Sequence, residues 1–372
     1  MKIVWIVPGF SSDEHDWCIP ALLDLGRAMA RRCELHVVAL QYPYRRDTYR
    51  IGEVTVHSLG GANRGGVANL LNWREAVRLV DQLTADIVHA FWAYPSGVIA
   101  ARLNARAPIV ISLAGGELID LPSIDYGLNG RRRVRWLLRW AMRRAKVITA
   151  GSKYLLKIGR RFLGEGHFEF AALGVDEAMF YPTLGHPERV PLLLNVGSLE
   201  PVKDQAMLLR AFRCVVDHVP DVRLVIAGQG RLAGRLRDLT RELDLNDRVE
   251  FRGEVVHQHL PDLYRAATVF VQSSQHEAQG MAVLEAAACG TPIVGTAVGA
   301  LFDLAPDAAV ATPVGDADAL ARALLDLLRD PDRAAQIGRA AQQAVAREYS
   351  LERSADRFMS IYESLIHDRY CQ

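Results

Sequence analysis

The chain has 372 residues, of which 50% are hydrophobic and 23% are charged, and its net charge is +1 at neutral pH. This is an average soluble globular composition, and the bulk charge indicates no particular partner. The length is too great for one ordinary domain and sufficient for two.

The distribution of charge and of cysteine is more informative. Residues 1–185 carry 24 Lys and Arg against 17 Asp and Glu, a net +7, whereas residues 186–372 carry 20 against 26, a net −6. This asymmetry suggests that the first half meets something anionic. The five scattered cysteines form no C-x-x-C pair, which favours a reducing compartment and disfavours a disulfide framework or a zinc site. Because no apolar stretch is long enough for a signal peptide or a membrane span, we expect a cytoplasmic protein.

The first half alternates between short apolar runs and amphipathic stretches. Short runs rich in Ile and Val predict buried parallel strands, and the stretches between them predict helices. The predicted strands cover residues 2–8, 34–40, 54–59, 86–91, 109–114 and 146–151, and the predicted helices cover 21–32 and 74–83. Such alternation indicates βαβ units around a parallel sheet.

The same pattern begins again after a polar, proline-containing stretch at 175–191, which we interpret as a linker. Strands are predicted at residues 191–199, 222–230, 249–255, 269–274 and 292–296. The sequence therefore predicts two doubly wound α/β domains, covering residues 1–185 and 186–350. Ligands of open α/β sheets bind outside the carboxyl ends of the strands, so we expect the chemistry in loops facing a cleft between the domains.

The loop and helix at 276–292, HEAQGMAVLEAAACGTP, carry the strongest functional signal. Glu277 precedes the predicted helix and Glu285 lies between one and two turns inside it. The amides of Gly280, Met281 and Ala282 are left free at the helix start, which makes an anion site. An anion site flanked by two hydroxyl acceptors suits a nucleotide-sugar. The alternative is structural: Glu277 caps the helix and Glu285 lies on its solvated face.

Two further loops of the second domain point the same way. The loop VGSLEPVKD (196–204) places Lys203 just before a helix, where its charge would meet a diphosphate. The loop AGQGR (227–231) contains Gly228 and Gly230 but lacks the third glycine of a dinucleotide fingerprint, so it more often marks a tight turn. The sequence contains no P-loop and no G-x-S-x-G nucleophile motif.

These motifs together resemble the retaining family-4 glycosyltransferases of the GT-B fold. Glu277, seven residues and Glu285 match the E-x7-E motif of that family, and ACGTP matches its following A-x-G-x-P stretch. The resemblance extends over VGSLEPVKDQAMLLRAF, VRLVIAGQGR, LPDLYRAATVFVQSS, DIVHAFW and LGVDEAMFYP. It therefore covers essentially the whole chain and is strongest in residues 191–300.

The resemblance implies specific roles. Glu285 is expected to bind the ribose hydroxyls, Glu277 to lie near the transferred sugar, and Lys203 to neutralise the diphosphate. The donor is also expected to meet a set of neighbouring loop residues, namely Gly280, Met281, Ala282, Ser198, Gly228, Val255 and Gly9. Gly115, Gly116 and Glu117 are the candidates on the acceptor side. The last helix, about 351–372, is expected to cross back onto the N-terminal domain.

The sequence departs from the family pattern at four places. Ser198 replaces a customary Arg, Ala114 replaces a His near the reacting carbon, and Gln279 replaces a Phe. The glycine-rich loop near the N-terminus is reduced to Pro8-Gly9. The first two departures favour an alternative in which the protein binds a nucleotide-sugar without catalysis. A GT-B epimerase is a further alternative.

The segment 131–146, RRRVRWLLRWAMRRAK, holds eight basic residues and two tryptophans. Trp136, Leu137, Trp140 and Ala141 fall on one side at helical spacing. Such a segment is typical of a surface helix with its apolar side in the core, or of a helix that lies in an anionic membrane surface. Nucleic-acid binding fits less well, because the second half is acidic.

The sequence thus predicts a retaining, metal-independent glycosyltransferase without a cofactor, acting from a nucleoside-diphosphate sugar onto a hydroxyl acceptor. That acceptor is expected to be a glycan or a lipid-linked sugar, reached in the cytoplasm or at the inner face of the membrane. We assign His257 and His259 to solvated surface, because neither has a carboxylate partner in the polar loop around it.

Overall fold

The structure is a computed structural model that describes residues 1–16, 18–61, 67–103, 107–183 and 190–370. The chain divides into two compact units. The first consists of Met1–Gly174 and Leu351–Gln372, and the second of Val175–Ser350. None of the helices in the described ranges is both long and apolar enough to cross a bilayer.

The boundary between the units lies between Gly174 and Val175, earlier than the position expected at 185/186. Val175 forms a parallel bridge with Ser350, and Phe180 packs against His257 and Tyr264 of the second unit. These contacts tie the segment after Val175 to the second unit, although its prolines and polar residues are typical of a linker.

The first unit is built on an eight-stranded sheet with a separate two-stranded ribbon. Its strands are β1 (Lys2–Gly9), β2 (Glu34–Tyr42), β3 (Arg46–Ile51), β4 (Val54–Leu59), β5 (Ile87–Phe91), β6 (Ile109–Leu113), β7 (Asp120–Leu121), β8 (Tyr126–Gly127), β9 (Val147–Ala150) and β10 (Phe168–Phe170). The sheet order is β10-β9-β6-β5-β1-β2-β4-β3. All neighbours in it are parallel except β3 and β4.

Helices flank this sheet, and they explain why its central strands are buried and largely apolar. The helices of the first unit are α1 (Pro20–Ala30), α2 (Val67–Leu83), α3 (Val98–Ala100), α4 (Arg132–Arg144), α5 (Lys153–Leu163) and, from the end of the chain, α13 (Leu351–Tyr370). The residues Ile3–Val7 of β1 are completely buried, as expected for a parallel strand that is covered on both faces. The antiparallel edge strand β3 was not predicted, because RDTYRI is too polar to give an apolar run.

The second unit is a six-stranded parallel sheet. Its strands are β11 (Leu192–Val196), β12 (Arg223–Ala227), β13 (Val249–Gly253), β14 (Val269–Gln272), β15 (Ile293–Thr296) and β16 (Val310–Thr312). Its helices are α6 (Gln205–His218), α7 (Ala233–Glu242), α8 (Leu260–Ala266), α9 (Met281–Ala288), α10 (Ala300–Leu304), α11 (Ala317–Arg329) and α12 (Pro331–Glu348). The sheet order is β13-β12-β11-β14-β15-β16.

Each sheet reverses its direction of winding at one point. The reversal lies between β1 and β5 in the first unit and between β11 and β14 in the second. Because crossover connections are right-handed, helices that follow strands on the two sides of such a point cover opposite faces of the sheet. The predicted pair of doubly wound Rossmann-like sheets is therefore confirmed, and each switch point marks the usual place of a ligand.

The C-terminal helix α13 belongs to the core of the first unit, as expected. Phe358 and Tyr362 are fully buried beside Trp5 and Phe91. The Trp5 Nε1–H donates to the Tyr362 hydroxyl at 3.2 Å, and that hydroxyl is hydrogen-bonded to His89 Nδ1 at 2.6 Å. A polar chain thus joins the last helix to the central strands β1 and β5.

The basic helix α4 differs from its predicted orientation. Leu138, Ala141 and Met142 are its buried residues, whereas Trp136 is 65% exposed. Trp136 and Trp140 stack with parallel rings 6.5 Å apart. The expectation that Trp136 shares the core side with Ala141 was therefore wrong, since five positions on an α-helix are 500° apart at 3.6 residues per turn and so fall on clearly different sides.

Candidate functional site

The loops that follow β11 and β14 meet at the switch point of the second unit. Lys203 ends a single 3₁₀ turn, Pro201–Lys203, after β11, and Glu277 lies in the loop between β14 and α9. Lys203 Nζ donates to Glu277 Oε1 at 2.5 Å, with side chains 26% and 13% exposed. A cation and a carboxylate 74 positions apart are thus held together where α/β sheets bind ligands.

A set of short hydrogen bonds fixes these two loops to each other. Ser274 Oγ donates to Glu277 Oε1 at 2.7 Å, and Ser273 Oγ donates to the Lys203 carbonyl at 2.7 Å. The backbone amide of Gln275 donates to the Val202 carbonyl at 2.7 Å. Lys203 and Glu277 are therefore oriented before any ligand arrives, which lowers the entropic cost of using them.

The start of α9 presents free amides beside this pair. Gly280 is the N-cap residue, with φ of 90°, and no side chain caps the helix, so Glu277 does not have the capping role considered from the sequence. Val283 and Leu284 donate to the Gly280 carbonyl. Within the described ranges the amides of Gly280, Met281 and Ala282 have no protein acceptor. These residues are partly exposed, and an anion can reach them.

Glu285 lies in the second turn of α9 and is only 7% exposed, so the alternative of a solvated helix face is wrong. Its Oε2 accepts from the Tyr264 hydroxyl at 2.7 Å, and its Oε1 lies 3.1 Å from His257 Nε2. Burial, reinforced by the Glu285 carboxylate, holds the pKa of Tyr264 well above its ordinary value. The phenol therefore remains a donor.

The position of His257 contradicts the expectation made for it from the sequence. It was assigned to solvated surface without a carboxylate partner, but its side chain is 12% exposed and contacts Glu285. The two residues are 28 positions apart and meet because the single turn after β13 and helix α9 both contact α8. Sequence reasoning also missed Tyr264 and Ser274. Tyr264 had a weak signal, as the one phenol in the apolar stripe of LPDLYRAAT.

Gly228 brings the loops after β11, β12 and β13 together. Its φ is 138°, and a Cβ there would lie 2.0 Å from the Gly197 carbonyl oxygen, so only glycine fits. Its amide donates to the Gly253 carbonyl at 2.6 Å. Ser198, next to this contact, is exposed, and Val255 is half-buried beyond β13. The predicted donor residues of the second unit thus share one edge of its sheet.

The candidates of the first unit lie at the carboxyl edge of its own sheet. Gly9 ends β1, opposite Tyr42. Glu117 is 3% exposed, and its Oε1 accepts from the amides of Ala93 and Ala114, which follow β5 and β6, at 3.2 Å each. Its Oε2 is buried and has no partner among the described residues. Burial raises the pKa of this carboxyl group.

Two neighbours make this corner of the first unit unusual. Trp92 directly follows β5 with φ of 68°, a left-handed conformation that a bulky residue rarely adopts. A Cβ on Gly115 would lie 2.9 Å from Trp92 Nε1 and 3.1 Å from Glu117 Oε2, and one on Gly116 would meet the Tyr126 ring at 2.5 Å. Gly115 therefore packs against Trp92 and Glu117, and Gly116 packs against Tyr126, so neither position has room for a side chain. Strained backbone such as that of Trp92 is often found at functional sites.

Both halves of the chain match models of known protein families. Residues 21–178 match the model described as Glycosyltransferase Family 4, and residues 180–344 match the model described as Glycosyl transferases group 1. The two matched regions meet close to the observed unit boundary and together cover most of the chain.

Curated relatives include enzymes of several kinds. The chain is 24% identical over 365 residues to N-acetyl-alpha-D-glucosaminyl L-malate synthase of Bacillus anthracis, covering 93% of each. It is 31% identical over 238 residues to a GDP-mannose-dependent monoacylated alpha-(1-6)-phosphatidylinositol monomannoside mannosyltransferase of Corynebacterium glutamicum, covering 59% of this chain and 62% of that one.

Solved structures share the fold over nearly the full length. Sucrose-phosphate synthase from Thermosynechococcus elongatus aligns with a TM-score of 0.84 at 20% identity, covering 99% of this chain and 100% of that one. Anabaena Alr3699/HepE in complex with UDP-glucose aligns with a TM-score of 0.76 at 18% identity, covering 98% and 100%. At these identities the likeness concerns the fold.

Proposed function

The chain belongs to the family-4 glycosyltransferases, and from this premise we propose that it is a retaining enzyme that takes its sugar from a nucleoside-diphosphate sugar. It transfers that sugar to a hydroxyl acceptor. We assign donor binding to the second unit and acceptor binding to the first.

The observation that carries this proposal is the Lys203–Glu277 pair beside the free amides of α9. When the glycosidic bond to phosphate breaks, negative charge develops on the departing diphosphate. Lys203 and the amides of Gly280, Met281 and Ala282 are preorganised donors for that charge. We therefore propose that the enzyme needs no metal ion, with Glu277 orienting Lys203 and meeting the hydroxyls of the transferred sugar.

We assign the other residues that bind the sugar donor to successive parts of its nucleotide. Glu285 accepts from the ribose hydroxyls, and Val255, beyond β13, lies beside the base. Ser198 offers a backbone amide near the diphosphate, whereas the Gly228 amide is taken by the Gly253 carbonyl, so Gly228 shapes the loop beside it. We also propose Gly9 as a donor contact. One relative is named as a GDP-mannose-dependent enzyme, and one structural neighbour is described as a complex with UDP-glucose; both names support a UDP- or GDP-sugar as the donor.

A panel of nucleotide-sugars tests the donor proposal. A ligand present at 100 times its Kd stabilises the native state by about 2.7 kcal/mol, so the right donor raises the unfolding temperature clearly. Turnover with that donor should persist in EDTA, and NMR should show a product with the anomeric configuration of the donor. An inverted product, a free epimerised sugar, or activity abolished by EDTA and restored by magnesium would each contradict the proposal.

For the acceptor side we propose that Glu117 Oε2, unpartnered and buried, receives a hydroxyl of the acceptor between Gly115, Gly116 and Trp92. Glu117→Gln replaces an acceptor by a donor of the same shape. We expect a higher KM for the acceptor and an unchanged KM for the donor. Equal changes in both would indicate a structural role for Glu117.

We also propose that the enzyme works in the cytoplasm at the inner face of a membrane, where α4 contacts anionic lipid. The first unit carries 27 Lys and Arg against 19 Asp and Glu, whereas the second carries 17 against 24. On α4, Leu138, Ala141 and Met142 hold the helix in the core, so the exposed Trp136 and its stacked partner Trp140 remain available. Each basic residue near an anionic surface contributes about 1 kcal/mol.

Liposome co-sedimentation tests this contact. Arg132, Arg133 and Arg143 are exposed, and reversing all three to Glu should release the protein from anionic vesicles at low salt. Arg135 and Arg139 are left intact, because Arg135 donates to the Asn129 carbonyl and Arg139 lies over the Phe162 ring. Arg322, Arg329 and Arg347 to Glu is the matched control in the acidic unit. Wild-type protein that stays in the supernatant with anionic vesicles would favour a soluble acceptor.

A further inference from the structure

His257 lies in the single turn His257–His259 that follows β13, immediately after the loop that carries Val255. Its Nε2 lies 3.1 Å from Glu285 Oε1. The Phe180 ring packs on the imidazole at 5.2 Å between centroids, and Phe180 is itself 2% exposed. The imidazole is therefore held by an aromatic neighbour while one of its nitrogens contacts the carboxylate.

Tyr264 holds the other carboxylate oxygen. The residue is fully buried, its hydroxyl donates to Glu285 Oε2 at 2.7 Å, and its backbone carbonyl accepts from Thr291 Oγ1 at 2.7 Å. Each oxygen of Glu285 thus has one fixed protein donor. The two donors come from different elements, the turn after β13 and helix α8.

A carboxylate offers about four acceptor positions, two on each oxygen. One position on Oε1 is taken by His257 and one on Oε2 by Tyr264, which leaves one position on each oxygen. A ribose presents two neighbouring hydroxyls, each with one proton to donate. The number of remaining acceptor positions matches that pair, and the contacts with His257 and Tyr264 fix the orientation of the carboxylate that presents them.

We propose that His257 is a positioning residue for the nucleotide: it orients Glu285 so that both carboxylate oxygens receive the ribose hydroxyls, and it anchors the base-side loop at Val255 to the same carboxylate. This inference rests on the proposed role of Glu285 in donor binding. The Glu285 carboxylate accepts only, so the His257 nitrogen that faces it carries the proton.

The test uses calorimetric titration of the full-length protein with UDP and GDP, and with the 2′-deoxy form of whichever binds more tightly. The decisive quantity is the ratio of the Kd for the deoxynucleotide to the Kd for the ribonucleotide. In His257→Ala we expect the Kd for the ribonucleotide to rise by about tenfold, an effect of roughly one hydrogen bond to a charged acceptor. The Kd for the deoxynucleotide should change much less, so the ratio falls toward one.

Three further variants separate the outcomes. His257→Gln places an N–H near the same position and should restore much of the ratio, and it also serves where His257→Ala folds poorly. His259→Ala changes the exposed histidine of the same turn and should leave both constants unchanged. Glu285→Gln should collapse the ratio, because the amide nitrogen cannot accept a hydroxyl proton.

The pattern of failures is informative. Equal weakening of both nucleotides in His257→Ala would reduce His257 to a structural residue and overturn the inference, while a collapsed ratio in Glu285→Gln would still support the donor site. An unchanged ratio in Glu285→Gln, or no binding of either diphosphate by the wild type, would contradict the proposed donor site and the inference with it.

Discussion

At the scale of the single residue, Lys203 is the most exacting test of the site. It is the only lysine between residues 175 and 350, and Ser198 stands where the family has a second cation. Removing one preorganised donor aimed at developing charge costs about 2.7–4 kcal/mol in the transition state. We therefore expect Lys203→Ala to lose at least about a hundredfold in kcat, measured as release of the nucleoside diphosphate.

A conservative variant and a control variant accompany Lys203→Ala. Lys203→Arg keeps the charge but changes the geometry of its donors, so it should fall between wild type and Lys203→Ala. Arg210→Ala removes an exposed cation from the neighbouring helix α6 and should leave kcat unchanged. Near-normal turnover of Lys203→Ala would mean that the charge is neutralised elsewhere.

At the scale of the element, one hydroxyl adds a polar contact to the apolar packing of α13 in the first unit. The Tyr362 hydroxyl accepts from Trp5 Nε1 and is hydrogen-bonded to His89 Nδ1 in a fully buried site. Tyr362→Phe leaves both partners without their hydrogen bond, and a buried unsatisfied polar group costs about 1–3 kcal/mol. We expect the free energy of unfolding of the first unit to fall by at least that amount.

Tryptophan fluorescence during urea unfolding measures this effect selectively, because every tryptophan lies in the first unit. They are Trp5, Trp17, Trp73, Trp92, Trp136 and Trp140. Tyr349→Phe is the matched control: it removes a phenol whose hydroxyl lies 3.1 Å from Asp303 in the second unit, and it should not move the tryptophan signal. An unchanged midpoint for Tyr362→Phe would show that the polar chain contributes no net stability.

At the scale of the whole molecule, the first unit should be the acid-sensitive one. Burial lowers the pKa of His89 to about 3, against an ordinary value of 6.5, and also lowers the pKa of His57. Below pH 6.5 the unfolded chain therefore binds protons that the native state does not. The contribution of His89 to stability is complete above that pH and declines as the pH falls toward 3, by up to about 1.4 kcal/mol per pH unit. His57 shifts stability in the same direction.

Urea unfolding between pH 7 and 5.5, followed by tryptophan fluorescence, checks this slope in a range where ordinary carboxylates remain ionised. His89→Gln lowers stability at every pH but should flatten the slope, because the titrating ring is gone. His167→Gln, a change at a histidine whose side chain is 61% exposed, should leave the slope as in wild type. A wild-type midpoint independent of pH over this range would contradict the burial of a neutral His89.

The sequence by itself determined the features that depend on local order along the chain. Apolar runs predicted the central strands, such as KIVWIVP at β1, and Gly280, Gly290 and Pro292 marked the ends of α9. The motif formed by Glu277, seven residues and Glu285 resembles that of the family, and its spacing places one carboxylate before a helix and the other within it. Local periodicity and turn chemistry suffice for such features.

Only the tertiary structure decided which remote residues meet. Strands β11 and β14 are neighbours although β12 and β13 lie between them in sequence, and this pairing brings Lys203 to Glu277. The partner of His257 is 28 positions away, on another helix, so the loop sequence around it contained no sign of Glu285. The segment after Val175 has the prolines and polar residues of a linker, yet the burial of Phe180 attaches it to the second unit. These outcomes depend on strand order and packing between distant segments, which no local pattern encodes.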